Sequence, residues 1–131
     1  MIQRIQSVYL LLLITVSIVG LGLIPPLEVG VLLFLNPDFT MGYFMVTAFF
    51  GAVSLFLFKN RKVQILVNRF NMLGQSIVFL MFLYVFYSSG FEMSSVAVWV
   101  MVPLSSLFFL FLANRAIRKD EDLIRSMDRL R

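Results

Sequence analysis

Charged residues divide this 131-residue chain into four long runs without charge, each of 20 to 23 residues. The runs lie between Arg4 and Glu28, Asp38 and Lys59, Arg69 and Glu92, and Glu92 and Arg115. A helix that crosses a bilayer needs about 20 predominantly apolar residues. The pattern therefore predicts four transmembrane helices, whose apolar cores are residues 8–24, 41–58, 72–87 and 96–112.

Transmembrane strands are the alternative interpretation, because Phe, Val and Ile are frequent in these runs. The runs are continuously apolar, whereas barrel strands alternate between apolar and polar positions and are about half as long. Composition favours the same class, since 60% of the residues are hydrophobic and only 14% are charged. About a quarter of the residues in a soluble domain are charged. We therefore predict an all-α membrane protein, a four-transmembrane-helix bundle.

The basic residues predict the orientation of these helices. All 11 lie before the first helix, between the second and third, or after the fourth: Arg4, Lys59, Arg61, Lys62, Arg69, Arg115, Arg118, Lys119, Arg125, Arg129 and Arg131. The opposite side carries only Glu28, Asp38 and Glu92. Short loops rich in Lys and Arg remain cytoplasmic. Both termini are therefore predicted to be cytoplasmic, and the basic residues from Lys59 to Lys119 anchor that side. The net charge of +4 is thus a topology signal, and nucleic acid is not an expected partner.

Residues 1–24 have a second interpretation as a cleaved signal peptide. Arg4 resembles a basic n-region, and the sequence Gly20-Leu21-Gly22 resembles a cleavage site of small residues. The apolar run is longer than a usual signal-peptide core. A retained transmembrane helix is therefore favoured.

The outer loop at residues 25–39 contains an unusual apolar stretch. Pro25 and Pro26 are expected to end the first helix, because proline cannot donate a backbone hydrogen bond. The apolar residues 29–35 that follow are too short to cross a membrane. We expect them at the outer interface or packed on the bundle. Exposed apolar segments mark contacts, so Leu33 and Phe34 are candidate partner contacts.

The inner loop and the C-terminal tail both contain helical patterns. Val63, Leu66, Val67 and Phe70 recur at helical spacing, so the third helix is predicted to begin near Arg61, before the membrane. In the tail, residues 113–131, one sector of the helical wheel is apolar and the other is charged. The chain therefore divides into a transmembrane domain, residues 1–112, and a cytoplasmic C-terminal amphipathic helix.

The tail carries both signs of charge, which lipid binding alone does not explain. We expect its acids Asp120, Glu121 and Asp122 to lie near the inner-loop cations Lys59, Arg61, Lys62 or Arg69. The apolar residues Leu123 and Ile124 are expected to provide most of the docking there, or against another protein. The candidate partner contacts in the tail are Asp120, Glu121, Leu123, Ile124 and Arg125.

Few residues of the chain are suited to catalysis. The sequence has no His and no Cys, which removes haem ligation by these residues, iron–sulfur clusters and thiol chemistry. No cofactor and no enzymatic activity is expected. None of the four apolar cores contains a charged residue, and proton-coupled transporters normally keep one at depth. The remaining polar residues are expected to form hydrogen bonds between helices or, alternatively, to line a ligand pocket: Thr47, Ser54, Gln75, Ser76, Ser105 and Ser106.

Three stretches resemble a known protein family: MIQRIQSVYLLL at residues 1–12, NRKVQ at residues 60–64 and LANRAIRKDEDLIRSMDRLR at residues 112–131. They are similar to an uncharacterised family of small four-helix inner-membrane proteins, catalogued only as a domain of unknown function and typical of Bacteroidetes-type bacteria. The resemblance extends over the whole chain, with the tail its most specific part. It implies an inner-membrane location in a Gram-negative cell, and it carries over no activity and no catalytic residue.

Two classes of function agree with these observations. The favoured hypothesis is a non-enzymatic structural or accessory subunit of a membrane complex, with the lipid bilayer and a membrane protein, or a second copy of the chain, as partners. The alternative is a small oligomeric transporter or channel without proton coupling, which uses the serines and Gln75 as a polar path.

Overall fold

The computed structural model describes residues 3–24, 37–88 and 94–129. These residues form α1 (Gln3–Leu23), α2 (Pro37–Phe56), a 3-10 turn (Leu57–Lys59), α3 (Arg61–Ser88) and α4 (Ser94–Arg129). No strand occurs within these three segments. The prediction of an all-α chain with four long helices is confirmed, and so is the start of the third helix at Arg61. The fourth helix runs without a break past residue 112, where the transmembrane domain was predicted to end.

The helices form an up-and-down bundle in which chain neighbours are antiparallel. Gly20 of α1 approaches Phe44 of α2, whereas Ile14 approaches Gly51 farther along. α4 closes the ring, because it packs against both α1 and α3. The contact between α2 and α3 is the sparsest of the four. A groove between these two helices, described below, follows from this loose contact.

Aromatic side chains fill one end of the bundle. Phe82 and Trp99 have ring centroids 5.5 Å apart, and Phe44 lies 5.6 Å from the same indole. The Tyr43 ring meets Phe44 at 5.3 Å in an edge-on arrangement. These four residues are called the aromatic cluster, and the centroid separations are those at which aromatic pairs attract each other. The opposite end, where α3 begins at Arg61, carries the cations and is called the basic end.

A second, aliphatic cluster lies nearer the basic end. Leu10 and Leu13 of α1 pack against Leu110 and Ala113 of α4, and all four side chains are fully buried. Ala113 leaves room for the leucines, which lets α1 and α4 approach closely. The two clusters together occupy only part of the interior, and polar side chains fill the rest.

The outer surface of the bundle is apolar. Large side chains such as Phe49, Leu80 and Phe108 are more than half exposed. In each of the four candidate spans only 22% to 39% of the residues are buried. All four helices are long and apolar enough to cross a membrane. The bundle is therefore compatible with a multi-pass membrane protein, whose apolar surroundings replace the water that such a surface would otherwise meet.

Gly20 permits the closest approach between α1 and α2. A Cβ atom at Gly20 would lie 2.5 Å from Cε1 of Phe44, a separation that real Cβ atoms do not show. Phe44 cannot move aside freely, because it is buried within the aromatic cluster. Gly22, one half-turn away, faces open space.

We predict that Gly20→Ala lowers the stability of the bundle by about 1–3 kcal/mol, the usual cost of an extra methyl group in a packed site. The matched variant Gly22→Ala should leave stability unchanged or slightly raised, because alanine is the better helix former. Thermal unfolding in detergent, followed by the fluorescence of Trp99, measures both effects, since this is the only tryptophan of the chain. Equal unfolding midpoints for the two variants would contradict the close approach.

Candidate functional site

Four amide side chains of α3 face the interior of the bundle. Gln64, Asn68, Asn71 and Gln75 follow one another at spacings of four, three and four residues, and all are buried. Such spacing places side chains on one face of a helix. We call these four residues the amide seam. The interior face of α3 continues toward the aromatic cluster with apolar side chains.

The apolar face of the same helix points outward. Val63, Leu66, Phe70, Leu73 and Ile77 are all exposed. A surface helix of a soluble protein turns its apolar stripe inward and its polar residues toward water. α3 does the reverse along its first four turns, as expected for a helix whose surroundings are apolar.

Gln75 fastens α3 to α2. Its Nε2 donates to Oγ1 of Thr47 at 2.8 Å, and the Tyr43 hydroxyl donates to its Oε1. Thr47 in turn donates to the Tyr43 carbonyl oxygen at 2.8 Å. One amide of α3 thus accepts one hydrogen bond from α2 and donates another to it, which specifies how α2 and α3 are aligned.

Asn68 fastens α3 to α4. Its Nδ2 donates to Oδ1 of Asn114 at 2.9 Å, and both side chains are buried. The Nδ2 atom of Asn114 points to the sulfur of Met72 at 3.4 Å. A thioether is a weak acceptor, so the Nδ2 donor of Asn114 is only weakly satisfied.

Several amide atoms of the interior have no hydrogen-bond partner among the described residues. They are Nε2 and Oε1 of Gln6, Oε1 of Gln64, Oδ1 of Asn68 and Nδ2 of Asn71. Buried polar groups normally pair with protein or with ordered water. The interior near the basic end therefore contains donors and acceptors that are free to bind water or small polar groups.

An ion pair joins α3 and α4 at the basic end. Nη2 of Arg61 and Oδ2 of Asp120 lie 2.7 Å apart, without the alignment of a hydrogen bond. The expected approach of a tail acid to the inner loop is therefore present for this pair. Glu121 lies in a groove beside Lys59 and Lys62, and its Oε1 is 3.4 Å from Nη2 of Arg125.

The expectation that Leu123 and Ile124 pack against the inner loop is wrong. Both side chains are exposed, whereas Ile117, about two turns earlier, is fully buried. The reason is the register of the two helices. Arg61, the first residue of α3, lies beside Asp120, so α4 has no part of α3 beside it beyond that point.

The remaining predicted residues have simpler positions. Lys59, Lys62, Arg69, Arg115, Arg118 and Lys119 are exposed. Leu33 and Phe34 lie outside the described residues. The expectation of interhelical hydrogen bonds holds for Thr47 and Gln75 and is wrong for Ser76 and Ser105. These two serines donate to carbonyl oxygens of their own helices, those of Met72 and Val102.

Most of the buried amides are not among the polar residues predicted to bond between helices. Gln64 and Asn68 stand among basic residues, in the stretch of α3 predicted to precede the membrane, while Gln6 and Asn114 lie at the ends of apolar runs. The spacing of the four amides of α3 was the available signal, because it matches one helical face.

A groove of about 320 Å³ opens between α2 and α3, where their contact is sparse. Asn71 and Gln75 contribute amides to its lining, and Gly42 and Gly74 leave its walls open. Within the three described segments no group of three or more His, Cys, Asp or Glu side chains lies together. Amides and hydroxyls of this kind bind polar groups by hydrogen bonding.

We predict that Gln75→Leu destabilises the bundle by about 1–3 kcal/mol, because it removes two interhelical hydrogen bonds and takes away the acceptor of the buried Tyr43 hydroxyl. The neighbouring Ser76→Ala is the matched control and should cost less than about 0.5 kcal/mol, since Ser76 only bonds within its helix. Unfolding in detergent compares the two variants. A Ser76→Ala loss as large as that of Gln75→Leu would contradict this role of the amide.

The chain matches the model of one known protein family. The model of the DUF4293 family, described as a domain of unknown function, matches residues 33–130, which is 98 of the 131 residues. The amide seam and its partners on α2 and α4 lie within the matched part. No curated protein and no solved structure shows a significant match. The chain therefore belongs to the DUF4293 family.

Proposed function

We propose that this protein is a non-enzymatic accessory subunit of a membrane complex in the inner membrane of a Gram-negative, Bacteroidetes-type bacterium. The end of α4 carries the proposal, since it presents an uncovered apolar face outside the bundle. The four apolar helices support the membrane location, and the distribution of charge supports an orientation with both termini in the cytoplasm.

The basic end of the bundle is the cytoplasmic end in this proposal. Lys59, Arg61 and Lys62 lie where the 3-10 turn leads into α3, and Arg115, Arg118 and Lys119 follow the apolar part of α4. Moving such a set of cations across a membrane is costly, which is the physical basis of their cytoplasmic retention. The aromatic cluster then lies toward the periplasm.

The first prediction from this orientation uses single cysteines, because the natural chain has none. A membrane-impermeant maleimide applied to spheroplasts should label Glu92→Cys and leave Lys62→Cys unlabelled. After the cells are permeabilised, both variants should react, which controls for accessibility. Labelling of Lys62→Cys in intact spheroplasts would contradict the orientation.

The length of α4 explains why its end protrudes. Its 36 residues extend about 54 Å at 1.5 Å per residue, whereas the hydrocarbon core is about 30 Å thick. The helix continues unbroken to Arg129, so its last turns point away from the membrane. Leu123, Ile124 and Met127 are exposed there.

The partner that fits this face is another protein. An apolar helical stripe in water is normally covered by protein or membrane. Because α4 continues as one helix beyond the length of a membrane span, we place the stripe in the cytoplasm, clear of the bilayer. Glu121 and Arg125 form an ion pair beside it. We therefore propose that an amphipathic helix of a partner protein packs on Leu123, Ile124 and Met127.

The second candidate function is a small transporter or channel without proton coupling, which the amide seam favours. The seam carries polar groups through the cytoplasmic half of the interior. The aromatic cluster closes the other half, where Trp99, Phe82 and Phe44 are all nearly inaccessible. A solute would have to displace these packed rings. The amide seam is therefore better suited to hydrogen bonding between helices than to a solute path.

The partner prediction compares two double variants of the same helix turns. Leu123→Ser with Ile124→Ser should reduce the co-purifying partner by about tenfold or more, because each apolar side chain contributes on the order of 1.5–3 kcal/mol when buried. Glu121→Ser with Arg125→Ser should reduce it by less than about fivefold, because exposed ion pairs contribute about 0–1 kcal/mol. Purification in gentle detergent with quantitative mass spectrometry measures both.

Two results would contradict the accessory-subunit function. One is an equal loss of partner in both double variants. The other is a natural protein that elutes as a lone homo-oligomer and passes solutes when reconstituted in liposomes, which would favour the transporter.

A further inference from the structure

A basic pocket lies between α3 and α4 at the basic end of the bundle. It encloses about 510 Å³, and four of its lining residues are cationic: Arg69, Arg115, Arg118 and Lys119. Asp122 is the one acidic residue of the lining, so the pocket carries a formal charge of +3 (four cations and one anion). A groove beside Lys59 and Lys62 at the same end also includes an acid, Glu121.

The pocket also contains a buried donor that is only weakly satisfied. Asn114 is nearly inaccessible and lines the pocket together with Met72. Its Nδ2 atom has the Met72 sulfur as its acceptor, at 3.4 Å. A phosphate oxygen is a far stronger acceptor for an N–H group than a thioether. The pocket therefore combines cations with an amide that is suited to an anionic oxygen.

An apolar groove continues from the pocket along the same pair of helices. It encloses about 650 Å³ and shares Met72 and Phe111 with the basic pocket. The rest of its lining comes from α4: Met101, Leu104, Ser105, Leu107 and Phe108. The Ser105 hydroxyl is already bonded to the Val102 carbonyl oxygen. The groove is thus an almost wholly apolar extension of a cationic pocket.

We propose that this surface binds one anionic phospholipid, with its phosphate in the basic pocket and an acyl chain in the apolar groove. Basic pockets between transmembrane helices on the cytoplasmic side are suited to anionic headgroups. The continuity of the two cavities favours a lipid over a free anion, because one lipid molecule can occupy both, whereas a soluble phosphate occupies only the basic pocket. The inference rests on the membrane orientation proposed above and is independent of the partner of α4.

The test measures retention of phosphatidylglycerol by the full chain, using native mass spectrometry in detergent. Phosphatidylglycerol should bind about tenfold more tightly than phosphatidylethanolamine with the same acyl chains, because only the former has a net negative charge. An excess of inorganic phosphate should not displace it. Equal binding of the two lipids would overturn the proposal, and so would complete displacement by phosphate, which would identify a site for free anions.

Matched variants localise the site. Arg115→Gln with Arg118→Gln should weaken phosphatidylglycerol binding by about tenfold, whereas Lys59→Gln with Lys62→Gln removes the same charge outside the pocket and should change binding by less than twofold. All four residues are exposed, and helicity measured by circular dichroism checks that each variant is folded.

Arg69→Gln tests the α3 side of the pocket, and this variant should also bind phosphatidylglycerol more weakly. Equal effects of the two double variants would overturn the proposed site. If the natural chain binds both lipids equally while the cysteine labelling follows the predicted pattern, the lipid site alone is refuted. Reversed labelling would refute the orientation.

Discussion

Hydrogen bonds between buried amides and hydroxyls determine how this bundle is held together. In a bilayer, two apolar helix faces gain little by leaving lipid for each other, since lipid tails are as apolar as leucine. Interhelical hydrogen bonds and close packing must then provide the association. Gln75 bonds α3 to α2, and Asn68 bonds α3 to α4. α3 is thereby the helix that connects its two neighbours through polar contacts, and its apolar side faces outward.

The contacts described at the other two interfaces are packing contacts. Gly20 and Gly51 let α1 and α2 approach closely, and the aliphatic cluster of Leu10, Leu13, Leu110 and Ala113 joins α1 to α4. The aromatic cluster closes the interior at the far end. The amides of α3 and the aliphatic cluster thus share the interior toward the basic end, and the aromatic rings fill the other end.

The spacing of charges predicted the number and the type of helices, because long runs without charge have few other structural outcomes. Orientation was inferred equally directly from the positions of Lys and Arg. The interior was harder to predict, because Asn and Gln near a membrane boundary also suit a solvated helix. Gln64 and Asn68 are residue types that are common in loops. Whether they face the bundle interior or solvent distinguishes a buried amide from a solvated one.

The tail and the serines illustrate two other limits of the sequence. Leu123 and Ile124 have the helical pattern of a docking face, yet both are exposed, because Arg61 at the start of α3 lies beside Asp120 and α3 does not extend along them. Ser76 and Ser105 satisfy their hydroxyls within their own helices, as serine in a helix readily does. Such choices depend on the distance to neighbouring helices, which the sequence does not specify.

Spin labels placed singly along α3, from residue 63 to residue 77, report directly which face of this helix meets lipid. The chain has no cysteine, so each engineered cysteine carries the only label. In bilayers, accessibility to oxygen should be high at Phe70, Leu73 and Ile77, and should be lowest at Asn71 and Gln75. A pattern shifted by half a helical turn, with the amides most accessible to oxygen, would contradict an interior held together by amides.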